Sequence, residues 1–66
     1  MTPAALVKAL RAELGEDRVR FGRRWRKSGR TIENWEQGRR VPDAYLLGRM
    51  QRFARLRGVL RPDEDR

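Results

Sequence analysis

The sequence contains neither cysteine nor histidine. Without cysteine the chain forms no disulfide, and without both residues it lacks the usual thiolate and imidazole ligands of a structural zinc site. A Cys–His or Ser–His catalytic arrangement is excluded for the same reason. Asp and Glu remain as possible catalytic groups, but the nine acidic residues are scattered along the chain. We therefore expect no enzymatic activity, no metal site, no cofactor and no small-molecule ligand.

Long apolar segments are missing as well. No apolar run approaches the roughly 18 residues that span a bilayer, and the amino terminus, MTPAALVKAL, lacks the basic start and long apolar core of a signal peptide. We expect a cytoplasmic protein without membrane contact. The 66 residues suffice for one small domain. A domain of this size buries only about 60% of the surface that its unfolded chain exposes, so its stability is expected to be marginal.

Positive charge is what the sequence has in excess. Lysine and arginine number 17 against nine acidic residues, which gives a net charge of +8. Arginine supplies most of it, and arginine suits phosphate and guanine better than lysine does. Between Asp17 and Arg40 there are nine cations and three acids. Such a cluster is either a solvated helix face or a phosphate-contacting surface, and its position on two short predicted helices favours the second.

Apolar spacing and capping residues predict four helices. Their approximate ranges are Pro3 to Leu14, Arg18 to Arg26, Gly29 to Gln37 and Ala44 to Leu56. The residues expected to face the core are Leu6, Leu10, Leu14, Val19, Phe21, Gly22, Trp25, Ile32, Trp35, Glu36, Leu46, Met50, Phe53 and Ala54. The prediction is an all-α domain of four or five helices over residues 1–60, followed by a polar tail over residues 61–66.

The second and third predicted helices are short and are joined by a tight turn, which is typical of a helix-turn-helix. This motif needs a small residue where its helices cross, and Gly22 fits that position. The apolar residues spaced to lock the pair together are Phe21, Trp25, Ile32 and Trp35. The opposite face of the third helix carries Arg30, Glu33, Asn34 and Gln37, at the spacing i, i+3, i+4 and i+7. A polar face of this kind can enter a DNA major groove.

The segment "FGRRW…SGRTIENWEQGRRVP" resembles the helix-turn-helix of the Cro/C1-type (XRE) repressor family. The resemblance extends over residues 3–56 and is strongest over 28–42. It implies a lambda-repressor-like fold with a central helix-turn-helix, whose second helix is the recognition helix. Small members of this family include phage repressors, antitoxin-type autorepressors and autorepressors of anti-CRISPR operons.

The resemblance also implies roles for individual residues. Gly29, Arg30 and Asn34 match positions that contact base edges, and Glu33 matches a position near the bases. Arg18 matches a position that contacts phosphate and supports the recognition helix, while Arg11 and Glu36 match a bridging ion pair. The remaining cations and polar residues around the turn, the third helix and the loop after it are expected to contact phosphate as well. The full set of expected phosphate contacts is Arg18, Arg23, Arg26, Lys27, Ser28, Thr31, Gln37, Arg39 and Arg40.

Side-chain chemistry agrees with these roles but leaves alternatives. Arg30 can bind guanine O6 and N7, and Asn34 can bind adenine N6 and N7. The alternatives are a phosphate contact for Arg30 and a solvated position for Asn34. Glu33 either accepts from cytosine N4 or orients Arg30. The pair Arg11–Glu36 is either a surface pair worth less than about 1 kcal/mol or a partly buried link that fixes the third helix.

Two positions depart from the family pattern. Arg26 and Lys27 occupy the turn where the family usually has glycine followed by an apolar residue. A non-glycine residue with positive φ costs on the order of 1 kcal/mol, so we expect either a reshaped turn or a longer second helix. Gly29 replaces a longer polar side chain, which leaves direct base contact to fewer residues.

The predicted function is that of a transcriptional repressor that binds double-stranded DNA in a sequence-specific manner and autoregulates its own operon. We expect a homodimer on a palindromic operator, with recognition helices about 34 Å apart. The candidate dimer surface consists of Leu47, Leu56, Val59 and Leu60, which alternatively complete the monomer core. One alternative function is an antitoxin-type or other protein-interaction subunit. A second is a basic RNA-binding module, which requires the tryptophans to face outward for base stacking.

Overall fold

The computed structural model describes residues 1–61 and shows an all-helical domain. Its helices are α1 (Pro3–Leu14), α2 (Arg18–Arg24), α3 (Gly29–Glu36) and α4 (Ala44–Leu56), and residues 1–61 contain no strand. The predicted fold class is therefore confirmed, with four helices in the described part of the chain. The polar tail predicted over 61–66 lies outside the described residues, apart from the exposed Arg61.

Each helix begins at a polar capping residue. The side chains of Thr2, Asp17, Ser28 and Asp43 accept hydrogen bonds from the backbone N–H three residues later, at 2.8–3.2 Å. A cap of this kind stabilises a helix by about 1 kcal/mol. Because the caps are local in sequence, the four predicted starting points agree with the structure.

The ends of the two central helices are corrected by the structure. The sequence predicts that α2 extends to Arg26, but the helix ends at Arg24. Arg26 instead adopts the left-handed region with φ 58°, and the Lys27 N–H then donates to the Gly22 carbonyl at 2.8 Å. This bond closes the end of α2 and starts the turn. Similarly, α3 ends at Glu36, one residue before the predicted end at Gln37.

The turn brings α2 and α3 into close backbone contact at Gly22. A Cβ atom placed on Gly22 would lie 2.3 Å from the carbonyl oxygen of Lys27. No side chain fits in that space without moving the backbone of the turn. The sequence-based expectation that Gly22 is the small residue at the crossing is therefore confirmed.

All four helices contribute to one apolar core. Its buried members are Leu6, Val7, Leu10, Phe21, Trp25, Ile32, Trp35, Leu46, Met50, Ala54 and Leu60. Val19 was predicted to face this core, but it is 53% exposed. It lies instead against the start of α3, where its Cγ2 would be 3.2 Å from a Cβ atom on Gly29.

Candidate nucleic-acid interface

A buried carboxylate fixes α3 against the first two helices. Glu36 is only 3% exposed. Arg11 donates from Nε to Oε2 at 2.6 Å and from Nη2 to Oε1 at 3.3 Å. Arg18 donates from Nε to Oε1 at 3.0 Å. The Arg11–Glu36 pair implied by the family resemblance is thus present, and Arg18 joins it from the start of α2.

The same contacts set the ionisation of Glu36. Burial removes solvent from the carboxylate and by itself raises the pKa of Glu36. The hydrogen bonds and charges of Arg11 and Arg18 outweigh this effect, so the pKa of Glu36 lies below its ordinary value. The bond to Glu36 likewise raises the pKa of Arg11. The three side chains therefore form a charged, partly buried link between α1, α2 and the end of α3.

The opposite side of α3 faces solvent. Arg30 and Gln37 are exposed, whereas Glu33 and Asn34 are half-buried. The Gln37 amide donates to the Glu33 carboxylate at 3.2 Å. The side chains of Arg30 and Asn34 have no hydrogen-bond partner within residues 1–61. Of the predicted base-contacting residues, these two therefore keep their polar groups available to a ligand.

Gly29 lies at the first position of α3 and is half-buried against Val19. A larger side chain there would press on Val19, since a Cβ atom would lie 3.2 Å from Val19 Cγ2 and 3.5 Å from the Val19 backbone nitrogen. Gly29 thus brings α3 close to the start of α2. Only its backbone is available for contact with a nucleic acid.

Polar residues surround both ends of α3. At its start, the Ser28 hydroxyl accepts from the Thr31 N–H at 3.2 Å and lies 3.1 Å from the Thr31 hydroxyl. Beyond its end, Gly38 has φ 76°, and the N–H groups of Arg39 and Arg40 donate to the Asn34 carbonyl at 3.0 and 3.4 Å. The loop after α3 therefore folds back along the helix.

Several of the predicted phosphate contacts are brought together by this arrangement. A groove of about 370 Å³ contains four of the predicted contact residues, Lys27, Thr31, Asn34 and Arg40, and is also lined by Trp35, Val41, Pro42 and the acidic Asp43. Arg23, Arg26 and Arg39 are exposed, and none of them forms an ion pair within residues 1–61. Among the cations predicted to contact phosphate, Arg18 differs because its guanidinium is partly used by Glu36.

Both tryptophans belong to the core. Trp35 is 4% and Trp25 is 9% exposed, so neither presents an open ring face on which a base can stack. The condition set for the single-stranded RNA alternative is therefore not met. The buried indole N–H of Trp25 has no hydrogen-bond partner among the described residues.

The candidate dimer residues separate into different environments. Leu56 is 80% exposed, whereas Leu60 is 2% exposed and belongs to the monomer core, which corrects its assignment to the dimer surface. Leu47 and Val59 are partly buried against the same core. The reason is the turn at Gly58 (φ 77°), after which the Val59 and Leu60 N–H groups donate to the Ala54 carbonyl at 2.8 and 3.3 Å.

Sequence analysis overlooked the outer face of α4. Arg49 and Arg52 are exposed there, near Phe53 and Leu56. The available signal was the spacing of these residues, since positions 49, 52, 53 and 56 share one side of a helix. Arg49 and Arg52 lie outside the cationic segment between Asp17 and Arg40.

Within residues 1–61, no helix is both long enough and apolar enough to cross a membrane. Comparison of the chain with protein-family models, with curated proteins and with solved structures found no match.

Proposed function

We propose that the chain binds double-stranded DNA in a sequence-specific manner, with α3 in the major groove. The observation that carries this proposal is the contrast between the two sides of α3. On one side Ile32, Trp35 and Glu36 are buried. On the other side, Arg30 and Asn34 have polar groups without partners in the described chain. A helix held rigidly on one side and polar on the other suits groove recognition.

Base recognition is assigned to Arg30 and Asn34. Arginine binds guanine O6 and N7 with two hydrogen bonds, and asparagine binds adenine N6 and N7 in the same manner. The two residues lie about one helical turn apart, so they reach neighbouring base pairs. Glu33 is bonded to Gln37, and from that position it can accept from cytosine N4 or orient Arg30.

Phosphate contacts are assigned to the residues on either side of α3. Arg23, Arg26 and Lys27 lie at the end of α2 and in the turn, whereas Arg39 and Arg40 lie in the following loop. Ser28, Thr31 and Gln37 add polar groups along the helix, and the free N–H groups at the start of α3 favour phosphate. Contacts on both flanks would fix the register of α3 in the groove.

The wider biological role is part of the same proposal. The chain acts as a repressor of the Cro/C1 type, occupying a palindromic operator in its own promoter as a homodimer. Leu47 and Val59, which are partly buried beside the core, remain candidates for the dimer contact. Leu56 is exposed next to Arg49 and Arg52 and suits a second copy of the chain less well, because like charges repel. Buried tryptophans favour a duplex over single-stranded RNA, because base stacking needs exposed aromatic rings.

The test is a selection of duplexes from a random pool, followed by competition binding with variants. Arg30→Ala is expected to lower affinity by about 1–3 kcal/mol and to relax preference at one base pair. Arg39→Ala is expected to weaken DNA binding evenly across sequences. It should also reduce the slope of the logarithm of the binding constant against the logarithm of the salt concentration by about one unit. Lys8→Ala removes one exposed cation from α1 and is the matched control. Unchanged sequence preference in Arg30→Ala would refute the assignment of base recognition.

A further inference from the structure

A second cationic surface lies between α2 and α4. The cleft there has a volume of about 300 Å³, and it is lined by Arg24, Trp25, Arg49, Arg52, Phe53 and Leu56. None of these residues belongs to α3 or to the loop that follows it. The cleft is therefore distinct from the proposed DNA-binding face.

Aromatic rings form the apolar part of this cleft. The Trp25 and Phe53 rings meet nearly edge to face, with centroids 6.0 Å apart. The guanidinium of Arg49 lies 5.7 Å from the centroid of Trp25 and 6.0 Å from that of Tyr45. Leu56 is 80% exposed beside them. The cleft thus offers apolar surface and delocalised positive charge in one place.

Positive charge in the cleft is only partly compensated. Arg24 pairs with Glu16 at 2.9 Å, but Arg49 and Arg52 form no ion pair with any residue among 1–61. Among residues 1–61, no acidic side chain lines the cleft. An occupant that supplies carboxylates would pair with the two arginines, and an apolar side chain on it would cover Phe53 and the exposed Leu56.

The same observations disfavour other occupants. A second copy of the chain, docked through this surface, would bring the arginines of one cleft against those of the other, and like charges in contact are repulsive. A nucleic-acid base needs an open ring on which to stack. The Trp25 ring is 9% exposed and has Arg49 close to it, so it offers no such platform.

We propose that the cleft between α2 and α4 binds an acidic, amphipathic segment of a partner protein. Carboxylates of the segment pair with Arg49 and Arg52, and one of its large apolar side chains packs on Phe53 and Leu56. This inference rests on the cleft alone and does not depend on DNA binding through α3.

The experiment is a selection from a random-peptide library against the intact chain, followed by titration of the most enriched peptide. Enriched sequences are expected to contain several Asp or Glu residues and at least one Leu, Phe or Trp. The readout is the indole N–H resonance of Trp25 in a nitrogen–proton correlation spectrum, with the Trp35 indole as an internal reference. Addition of the peptide is expected to move the Trp25 resonance more than that of Trp35.

Variants separate binding in the cleft from attraction to a cationic protein in general. The double variant Arg49→Gln with Arg52→Gln is expected to raise the Kd of the peptide about tenfold, because two partly exposed charge pairs are lost. Lys8→Gln with Arg20→Gln removes the same charge from exposed positions outside the cleft and is expected to weaken it much less. Arg30→Ala, which tests the proposed DNA interface, is expected to leave peptide binding unchanged.

Several results would overturn the proposal. These are the absence of enriched peptides, enrichment of neutral or basic peptides, and equal weakening by the two double variants. A shift of the Trp25 resonance with protein concentration alone would assign the cleft to a second copy of the chain. A larger shift with a single-stranded oligonucleotide than with the peptide would assign the cleft to nucleic acid. Each of these outcomes is independent of whether the chain binds duplex DNA.

Discussion

The outer faces of α3 and α4 both present arginine to solvent, but with different neighbours. On α3, Arg30 lies one turn from Asn34, among small and polar side chains. On α4, Arg49 lies near the Trp25 and Tyr45 rings, and the exposed Leu56 is part of the same surface. The first set of groups suits the hydrogen-bonding edges of base pairs, whereas the second suits carboxylates attached to apolar side chains.

The two faces also differ in how they are held in place. The end of α3 is tied by the buried carboxylate of Glu36 to Arg11 and Arg18. On α4, by contrast, Arg49 and Arg52 form no ion pair with any residue among 1–61. Arginine content alone therefore does not identify a partner; the neighbouring side chains and the rigidity of the helix distinguish the two surfaces.

Removal of the Glu36 charge is expected to have the largest effect and to act more strongly on the α3 face than on the α4 face. Glu36→Gln removes the carboxylate that Arg11 and Arg18 share, at a cost of about 2–3 kcal/mol in the free energy of unfolding. This figure is below that of a fully buried pair because the arginine side chains are 29% and 43% exposed. Urea unfolding gives the free energy, and duplex binding by α3 should weaken more than peptide binding in the cleft.

Glu13→Gln is the control for this variant. Glu13 Oε1 lies 3.9 Å from Arg57 Nη2, and both side chains are 44% exposed. A pair of that kind contributes less than about 1 kcal/mol. If Glu36→Gln destabilised the domain no more than Glu13→Gln, the buried link would have no structural role.

Acidification is expected to weaken the same link more gradually. The pKa of Glu36 is lower in the folded chain than its ordinary value of 4.5. Its contribution to stability is therefore fully present above that value and is lost as the pH falls through the folded-state pKa. Unfolding measured from neutral pH into the acidic range should show this loss in the wild-type chain. In Glu36→Gln, the free energy of unfolding should fall less steeply with decreasing pH. Equal pH dependence of the two proteins would contradict the assignment of this loss to Glu36.

The features predicted correctly from the sequence are local ones. The starts of all four helices follow from capping side chains such as Thr2 and Asp43, which act within one helical turn. The crossing at Gly22 also follows, because a tight turn between two helices requires a small residue. Long-range links are harder to predict. Arg18 and Glu36 are 18 positions apart, and only the family resemblance suggested that Arg18 supports the third helix.

The errors have physical causes as well. Leu60 was assigned to a dimer surface because the pattern did not reveal that the chain turns at Gly58 and returns to the core. The length of α2 was overestimated because arginine has good helix propensity, whereas the structure places Arg26 at positive φ. The roles of Arg30 and Asn34 in base contact stay predictions, since they depend on a partner rather than on the fold.

Replacement of Arg26 by glycine is expected to have the smallest effect, and it sharpens the difference between the two faces. Arg26 has φ 58°, a conformation that costs a non-glycine residue about 1–2 kcal/mol. Glycine removes this cost but loses more conformational freedom on folding. The expected net gain in the free energy of unfolding is therefore up to about 1 kcal/mol. Urea unfolding is the measurement.

Arg26→Ala is the matched control, because it removes the same charge but keeps the unfavourable φ. Both variants should weaken duplex binding by a similar small amount, through loss of one proposed phosphate contact, and neither should alter peptide binding between α2 and α4. Only Arg26→Gly should be more stable than the wild-type chain. Equal stability of the two variants would mean that the turn stores no strain at Arg26, and unchanged duplex affinity would remove Arg26 from the proposed phosphate contacts.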